Sequence, residues 1–138
     1  MIMTLSLLSL EDLIRSSRRA LVIGVGGGGD VVGALATARF LEFCGLEFIL
    51  GGLSWERSIF DPVPGPRSLS EVLDVRPLHP HVWLANSKSR THTGVLFAES
   101  RMAGIYGQEV LLVDINGGVK GVVEGLEVAL RELKADLL

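Results

Sequence analysis

The segment that most constrains the fold is an apolar run that ends in glycines and continues into a second apolar run. Residues 20–25 are apolar apart from Gly24, residues 26–29 are all glycine, and Asp30 precedes the mostly apolar residues 31–44. A continuous apolar run suits a strand that is covered on both faces. The segment therefore predicts a buried strand, a tight turn and a helix that is mostly buried against the sheet.

Three of these glycines, Gly24, Gly26 and Gly29, have the G-x-G-x-x-G spacing of phosphate-binding loops. A loop without Cβ atoms lets backbone N–H groups and a helix N-terminus surround an anion. We expect this loop, Gly27 and Gly28 included, to bind a phosphate group. The alternative is that small residues are needed there only for close packing of strand on helix, without any ligand.

Length, charge and cysteine content narrow the class of protein. The 138 residues fit one domain over residues 1–138, and a 48% apolar content predicts a packed core. The formal charge of −3, without a basic stripe, argues against a nucleic-acid partner. No segment approaches roughly 18 uninterrupted apolar residues, so no membrane partner is expected. Cys44 lies in an apolar stretch, which predicts a buried thiol and fits a cytoplasmic location.

The rest of the chain alternates helices and strands. Ser9 is expected to cap a short first helix. Further strands are predicted at residues 46–50, 82–85 and 110–114, and helices at 94–106 and from 119 onwards. A long ordered loop is predicted at 51–66, a helical turn at 68–73 and an exposed polar segment at 86–93. This order predicts an α/β fold, a Rossmann-like three-layer sandwich with a mainly parallel sheet of three or four strands and helices on both faces.

In such sheets, ligands lie beyond the carboxyl ends of the strands. Three segments are predicted there, namely the glycine-rich loop, residues 51–57 after the second strand, and the turn after the fourth strand. We expect Gly51 and Gly52 to approach the ligand from the second strand. Asn116 and Gly117 are expected to approach it from the fourth.

The residues around the loop do not match the usual nucleotide-binding patterns. A dinucleotide site would place an acid at the end of the second strand, where this chain has Gly51 and Gly52, so NAD is disfavoured. A triphosphate-binding loop would continue with Lys and Ser or Thr, but Asp30 and Val31 stand there. Asp30 is either a helix cap or a ligand-facing carboxylate that holds a sugar hydroxyl, a metal ion or an amine. If Asp30 faces the ligand, Mg²⁺ would bridge its carboxylate to a phosphate. Apart from this possible Mg²⁺, the sequence does not identify a cofactor.

Several polar residues have both a functional and a structural interpretation. Trp55 is a candidate stacking surface and Arg57 a candidate anion clamp, although Glu56 and Arg57 also fit a surface ion pair. Arg67 is a second candidate clamp. Asp114 fits a general base or metal ligand as well as it fits an Asx turn.

Other residues carry weaker signals. Asp61 precedes a proline and fits the start of a turn. The three histidines lack acidic or cysteine partners at metal-ligand spacing, so zinc is not expected.

Three of these segments together resemble the archaeal domain-of-unknown-function 1152 family. The resemblance rests on residues 26–34, 51–57 and 61–67, and it extends through residues 114–118 to the end of the chain. It implies a Rossmann-like fold, and it implies no established activity and no catalytic residue. Family members are about twice as long, so the resemblance implies that this chain corresponds to an N-terminal half. A sheet that ends after the fourth strand would expose an edge, so we expect a homo-oligomer or pairing with a complementary half.

Two classes of function remain open. The first is an enzyme that acts on a nucleotide or another phosphorylated metabolite, with Asp30 and Asp114 as candidate catalytic residues and Asp30 as a candidate metal ligand. The second is a non-catalytic module for ligand binding or oligomeric assembly. The sequence does not decide whether the protein is an enzyme.

Overall fold

The computed structural model describes residues 9–138, which form four α-helices, two 3₁₀ turns and five strands. In chain order these elements are α1 (Leu10–Ser16), β1 (Arg19–Ile23), α2 (Asp30–Phe43), β2 (Glu47–Leu53), a 3₁₀ turn (Leu69–Glu71), β3 (Val72–His79), β4 (Val82–Thr91), α3 (Ala98–Tyr106), β5 (Val110–Val113), a second 3₁₀ turn (Ile115–Gly117) and α4 (Gly118–Glu132). The predicted cap is confirmed, because the Ser9 side chain accepts from the N–H of Asp12 and the Asp12 carboxyl accepts from the N–H of Ser9.

The five strands form one sheet in the order β1-β2-β5-β4-β3. Only β1-β2 and β2-β5 are parallel, whereas β5-β4 and β4-β3 are antiparallel. The prediction of a mainly parallel, Rossmann-like sheet is therefore wrong, although the mixed α/β class is correct. The reversal arises at Pro80 and His81, since this two-residue turn joins β3 directly to β4 as a hairpin.

Strand β3 is absent from the sequence-based prediction. It alternates charged and apolar residues and contains Pro77, which is tolerated because β3 is the last strand of the sheet. Strand β4 continues six residues beyond the predicted end at Ala85, and Ser89 and Thr91 are buried in the segment that was expected to be exposed. This edge of the sheet is thus the β3-β4 hairpin, whose pairing shifts register between Leu73 and Val75 and between Pro77 and His79.

Helices cover both faces of the sheet, as predicted. Helices α2 and α3 pack on one face against residues that include Leu50 and Val110. Helix α4 packs on the other face, where Ala129 is buried among core residues of β1, β2, β4 and β5. Because β5 is central and buried at all four positions, its two faces join these clusters into one core.

Helix α2 is less buried than its sequence predicts. Phe40 and Phe43 are 57% and 90% exposed, and Cys44 is exposed rather than buried. The reason is that β1 is the last full strand on this side of the sheet. Beyond it, within residues 9–138, only Leu137 pairs with β1, so little of this part of the chain covers the outer side of α2. An apolar groove of about 600 Å³ lies beside this edge, between α1, α2, β1 and α4. No helix within residues 9–138 is long and apolar enough to cross a membrane.

Candidate functional site

The glycine-rich loop, residues 24–29, connects the carboxyl end of β1 to the first turn of α2. A Cβ at Gly24 would lie 2.4 Å from the backbone carbonyl carbon of Asp30, so only glycine lets the strand pass this close to the helix. Gly24 N–H donates to Gly51 O at 3.0 Å, and Gly28 N–H donates to Trp55 O at 2.8 Å. The loop is therefore anchored to β2 at one end and to the segment after β2 at the other.

The remaining N–H groups of the loop are not used by the rest of the backbone. Among residues 9–138, the N–H groups of Gly26, Gly27 and Gly29 donate to no backbone carbonyl outside the helices and strands. They lie at the N-terminus of the 14-residue helix α2, where the helix dipole favours an anion. The loop thus has the donors that a phosphate site requires.

Asp30 lies directly over this loop. A Cβ at Gly26 would come within 1.6 Å of Asp30 Oδ2, so the carboxyl group occupies the space that the missing side chain leaves. Asp30 is the first helical residue, and the N-cap position belongs to Gly29. The helix-cap interpretation of Asp30 is wrong, and its exposed carboxyl faces the loop.

The segment after β2 packs against the glycine-rich loop. A Cβ at Gly27 would lie 3.1 Å from Trp55 O, and one at Gly28 would lie 2.8 Å from Arg57 Cγ. The Arg57 side chain therefore lies along the loop. Trp55 is 39% exposed, so its ring is still accessible.

Glu56, which lies between Trp55 and Arg57 in the sequence, has a different role. Its side chain is 5% exposed, and its Oε1 accepts from the N–H of Ala98, the first residue of α3. It therefore satisfies a donor at the N-terminus of α3 and does not form a surface pair with Arg57.

Glu99 is a buried carboxyl group that the sequence analysis did not identify. It is 2% exposed, and burial, with smaller contributions from the charges of Glu56 and Asp30, raises the pKa of Glu99 to about 8. A Cβ at Gly52 would lie 1.9 Å from Glu99 Oε1. The available signal was an acidic residue three positions before Met102 and four before Ala103, on the side of α3 that is buried.

The glycine-rich loop, the segment after β2 and the first turns of α3 enclose a cleft of about 340 Å³. Its lining comprises Gly28, Gly29, Val32, Glu56, Arg57, Phe60, Ala98, Arg101, Met102 and Ile105. The guanidinium of Arg101, another residue that the sequence analysis missed, lies 5.5 Å from the centre of the Phe60 ring. Two arginines thus line the same cleft as two glycines of the loop.

Three predicted site residues lie elsewhere. Gly51 and Gly52 are buried inside β2, paired with Leu111 and Leu112 of β5, so the predicted strand end at Leu50 is wrong. The reason is that β5 continues the ladder beyond Leu50, which the sequence of β2 does not reveal. Arg67 is 5% exposed and its guanidinium donates to both carboxyl oxygens of Asp61, so it braces the long loop from inside.

The turn after β5 forms a separate cluster. Asp114 accepts from the N–H and the side chain of Asn116 through Oδ1, as the Asx-turn interpretation predicts. Its Oδ2 lies 3.1 Å from Nδ1 of His81. A Cβ at Gly117 would lie 2.5 Å from His81 Nε2, so Gly117 faces this imidazole and does not line the cleft described above.

No group of three or more histidine, cysteine or acidic side chains placed to hold a metal ion is present within the described part of the chain. A metal ion at Asp30 would therefore need ligand atoms from a bound molecule.

The fold and this cleft define an α/β protein with a mixed five-stranded sheet and a glycine-rich strand–helix loop. The model of the family described as protein of unknown function, DUF1152, matches residues 21–138. The chain therefore belongs to the DUF1152 family. No curated protein and no solved structure matches it significantly.

Proposed function

We propose that the protein binds a small phosphorylated metabolite, such as a nucleotide, in the cleft beside the glycine-rich loop. The observation that carries the proposal is that Arg57 and Arg101 line one cleft with Gly28 and Gly29. Guanidinium groups and free N–H donors at a helix N-terminus are the groups that bind phosphate oxygens. The volume of about 340 Å³ is near the lower end of the range for ligand sites, which favours a small ligand.

The acidic side chains near the loop restrict how a phosphate would bind. The Asp30 carboxyl lies over Gly26, and a carboxylate at close range repels a phosphate. Mg²⁺ resolves this repulsion, because it binds through one or two carboxylates together with substrate phosphates. Binding is therefore expected to strengthen when Mg²⁺ is added.

A thermal-shift panel of nucleotides, nucleosides and sugar phosphates, with and without Mg²⁺, tests the proposal. Phosphorylated ligands should raise the melting temperature, whereas the matching nucleosides should not. Arg57→Ala and Arg101→Ala should each weaken binding about tenfold or more, because each removes a charge-assisted contact. Arg131→Ala, an exposed change on α4, is the matched control and should leave the affinity unchanged. The absence of any shift by phosphorylated ligands would overturn the proposal.

The second candidate is an assembly module, and the apolar groove beside β1 favours it. The groove adjoins the sheet edge and includes Val25 and Phe40, which are 82% and 57% exposed. An exposed apolar groove at a sheet edge is typical of a surface that pairs with a second copy or another chain. Sedimentation should then show a dimer that Phe40→Glu dissociates, and a wild-type monomer at micromolar concentration would contradict it.

Turnover separates the two classes of function. Hydrolysis or transfer that requires Mg²⁺ and disappears in Asp30→Asn, while that variant keeps its fold, would favour an enzyme. Ligand-induced stabilisation without turnover would favour a binding module.

A further inference from the structure

A second polar cluster lies beside α4, away from the glycine-rich cleft, which is lined by residues of α3. His81 ends the turn between β3 and β4, and Asp114 directly follows β5. The two residues are neighbours because β4 runs antiparallel to β5, so that the start of β4 pairs with the end of β5. Asp114 N–H donates to His81 O at 2.8 Å. The backbone thus fixes the separation of the two side chains.

The carboxyl group of Asp114 determines the tautomer of His81. Oδ1 of Asp114 is occupied by the two donors of Asn116, and Oδ2 lies 3.1 Å from His81 Nδ1. A carboxylate only accepts, so Nδ1 carries the proton that is donated to Oδ2. The lone pair of the neutral imidazole is then at Nε2.

Helix α4 supports the ring from one side. A Cβ at Gly117 would lie 2.5, 2.7 and 2.8 Å from Nε2, Cδ2 and Cε1 of His81, and one at Gly121 would lie 2.8 Å from Cδ2. These nearly equal distances place the helix backbone over the face of the ring and not in line with the Nε2 lone pair. Nε2 makes no hydrogen bond with any other residue between 9 and 138, and the side chain is 30% exposed.

The cleft in front of the ring has a volume of about 280 Å³ and shares no lining residue with the glycine-rich cleft. The charged and titratable groups that face His81 are His79 from β3, Lys120 and Glu124 from α4, and Asp114 after β5. The Nδ1 of His79 accepts from the backbone N–H of His81 at 3.2 Å, so it is not a free base. Lys120 is 86% exposed and forms a long ion pair of 3.9 Å with Glu124, an exposed contact of little energy that a bound anion would have to displace.

We propose that His81 is the base of a proton-transfer site, in which Asp114 holds the imidazole and Lys120 binds a small substrate through an anionic oxygen group. The proton of an acidic O–H or N–H of the substrate moves to Nε2, and the electron pair stays on the substrate atom. Asp114 then balances the charge of the imidazolium. This inference does not depend on the proposed function of the glycine-rich cleft.

The Asp114→Asn variant tests the orientation of the ring. Asn116 would still require an acceptor, so the new amide would present its NH₂ group to His81 Nδ1. Nδ1 would then accept, and the neutral ring would carry its proton on Nε2. NMR of the imidazole nitrogens should show a protonated Nδ1 in the wild type and a protonated Nε2 in Asp114→Asn. Acylation of His81 by diethyl pyrocarbonate should slow about tenfold or more, since the tautomer with a free Nε2 becomes the minor form. His92, whose Nε2 donates to Ser70 O, should react at an unchanged rate in both proteins.

Inorganic phosphate serves as the probe for the anionic group. It should shift the wild-type His81 ring resonances and protect His81 from acylation, and both effects should disappear in Lys120→Gln but persist in the exposed control Lys88→Gln. A protonated Nε2 in the neutral wild-type ring would overturn the assignment of the base. Unchanged resonances with phosphate, or equal responses of Lys120→Gln and Lys88→Gln, would overturn the substrate site. If Asp114→Asn does not fold, the tautomer of wild-type His81 and the response of its resonances to phosphate still test the proposal.

Discussion

The carboxyl group of Glu99 occupies the space that Gly52 leaves empty, because a Cβ on Gly52 would lie 1.9 Å from Glu99 Oε1. Gly52 is buried in β2 and Glu99 is buried in α3, so neither can move into solvent without disturbing the core. This contact explains why a glycine is present inside a strand, where it normally weakens the sheet.

Gly52→Ala should therefore destabilise the protein by about 1–3 kcal/mol, the range for overpacking a core. In a Glu99→Ala background the same change should cost much less, giving a coupling energy of about 1 kcal/mol or more in a double-mutant cycle. Chemical denaturation of the wild type, the two single variants and the double variant measures this coupling energy. Equal effects of Gly52→Ala in both backgrounds would show that the two side-chain positions do not compete.

The raised pKa of Glu99 predicts a stability that falls with pH. Since the pKa is about 8 in the folded protein against 4.5 normally, the folded state holds an extra proton between these values. The free energy of unfolding should decrease as the pH rises from 4.5 to 8, by up to roughly 5 kcal/mol. Glu99→Gln should flatten this dependence and exceed the wild type in stability above pH 8. Glu127→Gln, an exposed change on α4, should keep the wild-type profile.

The buried pair of Arg67 and Asp61 should be much more important for stability than an exposed pair of the same type. Arg67→Met leaves the Asp61 carboxylate buried without its partner, which costs about 3–5 kcal/mol. Arg76→Met, which removes the exposed pair with Glu109, should cost less than about 1 kcal/mol. Urea denaturation compares the two variants, and similar losses would contradict a special role for Arg67.

The same pair has a pH signature. The hydrogen bond from Arg67 holds the pKa of Asp61 below its ordinary value of 3.8. Its stabilising contribution is therefore complete above that value and is lost as the pH falls through the lowered pKa. Arg67→Met should reduce this loss of stability in acid relative to the wild type.

Glu56 should act as an acceptor at the N-terminus of α3 and not through its charge. Glu56→Ala removes the acceptor for the N–H of Ala98 and should destabilise the protein by about 0.5–2 kcal/mol. Glu56→Gln keeps a side-chain oxygen and should recover most of that loss. The melting temperatures of both variants distinguish the two roles of Glu56. If Glu56→Gln is as unstable as Glu56→Ala, the charge of Glu56 matters and the prediction is contradicted.

Some features of the fold could be predicted because they depend on neighbouring residues. The cap at Ser9, the strand–loop–helix of residues 20–43 and the apolar strand at β5 follow from local pattern, and the structure confirms them. The packing of the segment around Trp55 and Arg57 beside the glycine-rich loop also follows, since both segments come after neighbouring parallel strands.

The sequence alone thus determined the α/β class, the glycine-rich loop and the residues that follow β1 and β2. Only the tertiary structure decided the direction of β4 and the presence of β3. A continuous apolar run such as the first residues of β4 does not indicate whether a strand is parallel or antiparallel, and the mixed pattern of β3 does not indicate a strand. The tertiary structure also decided that Arg67 is paired inside the loop, that Glu99 is buried under Gly52, and that His81 meets Asp114. These contacts join residues that are distant along the chain, and burial and pairing depend on which elements pack together rather than on any local pattern.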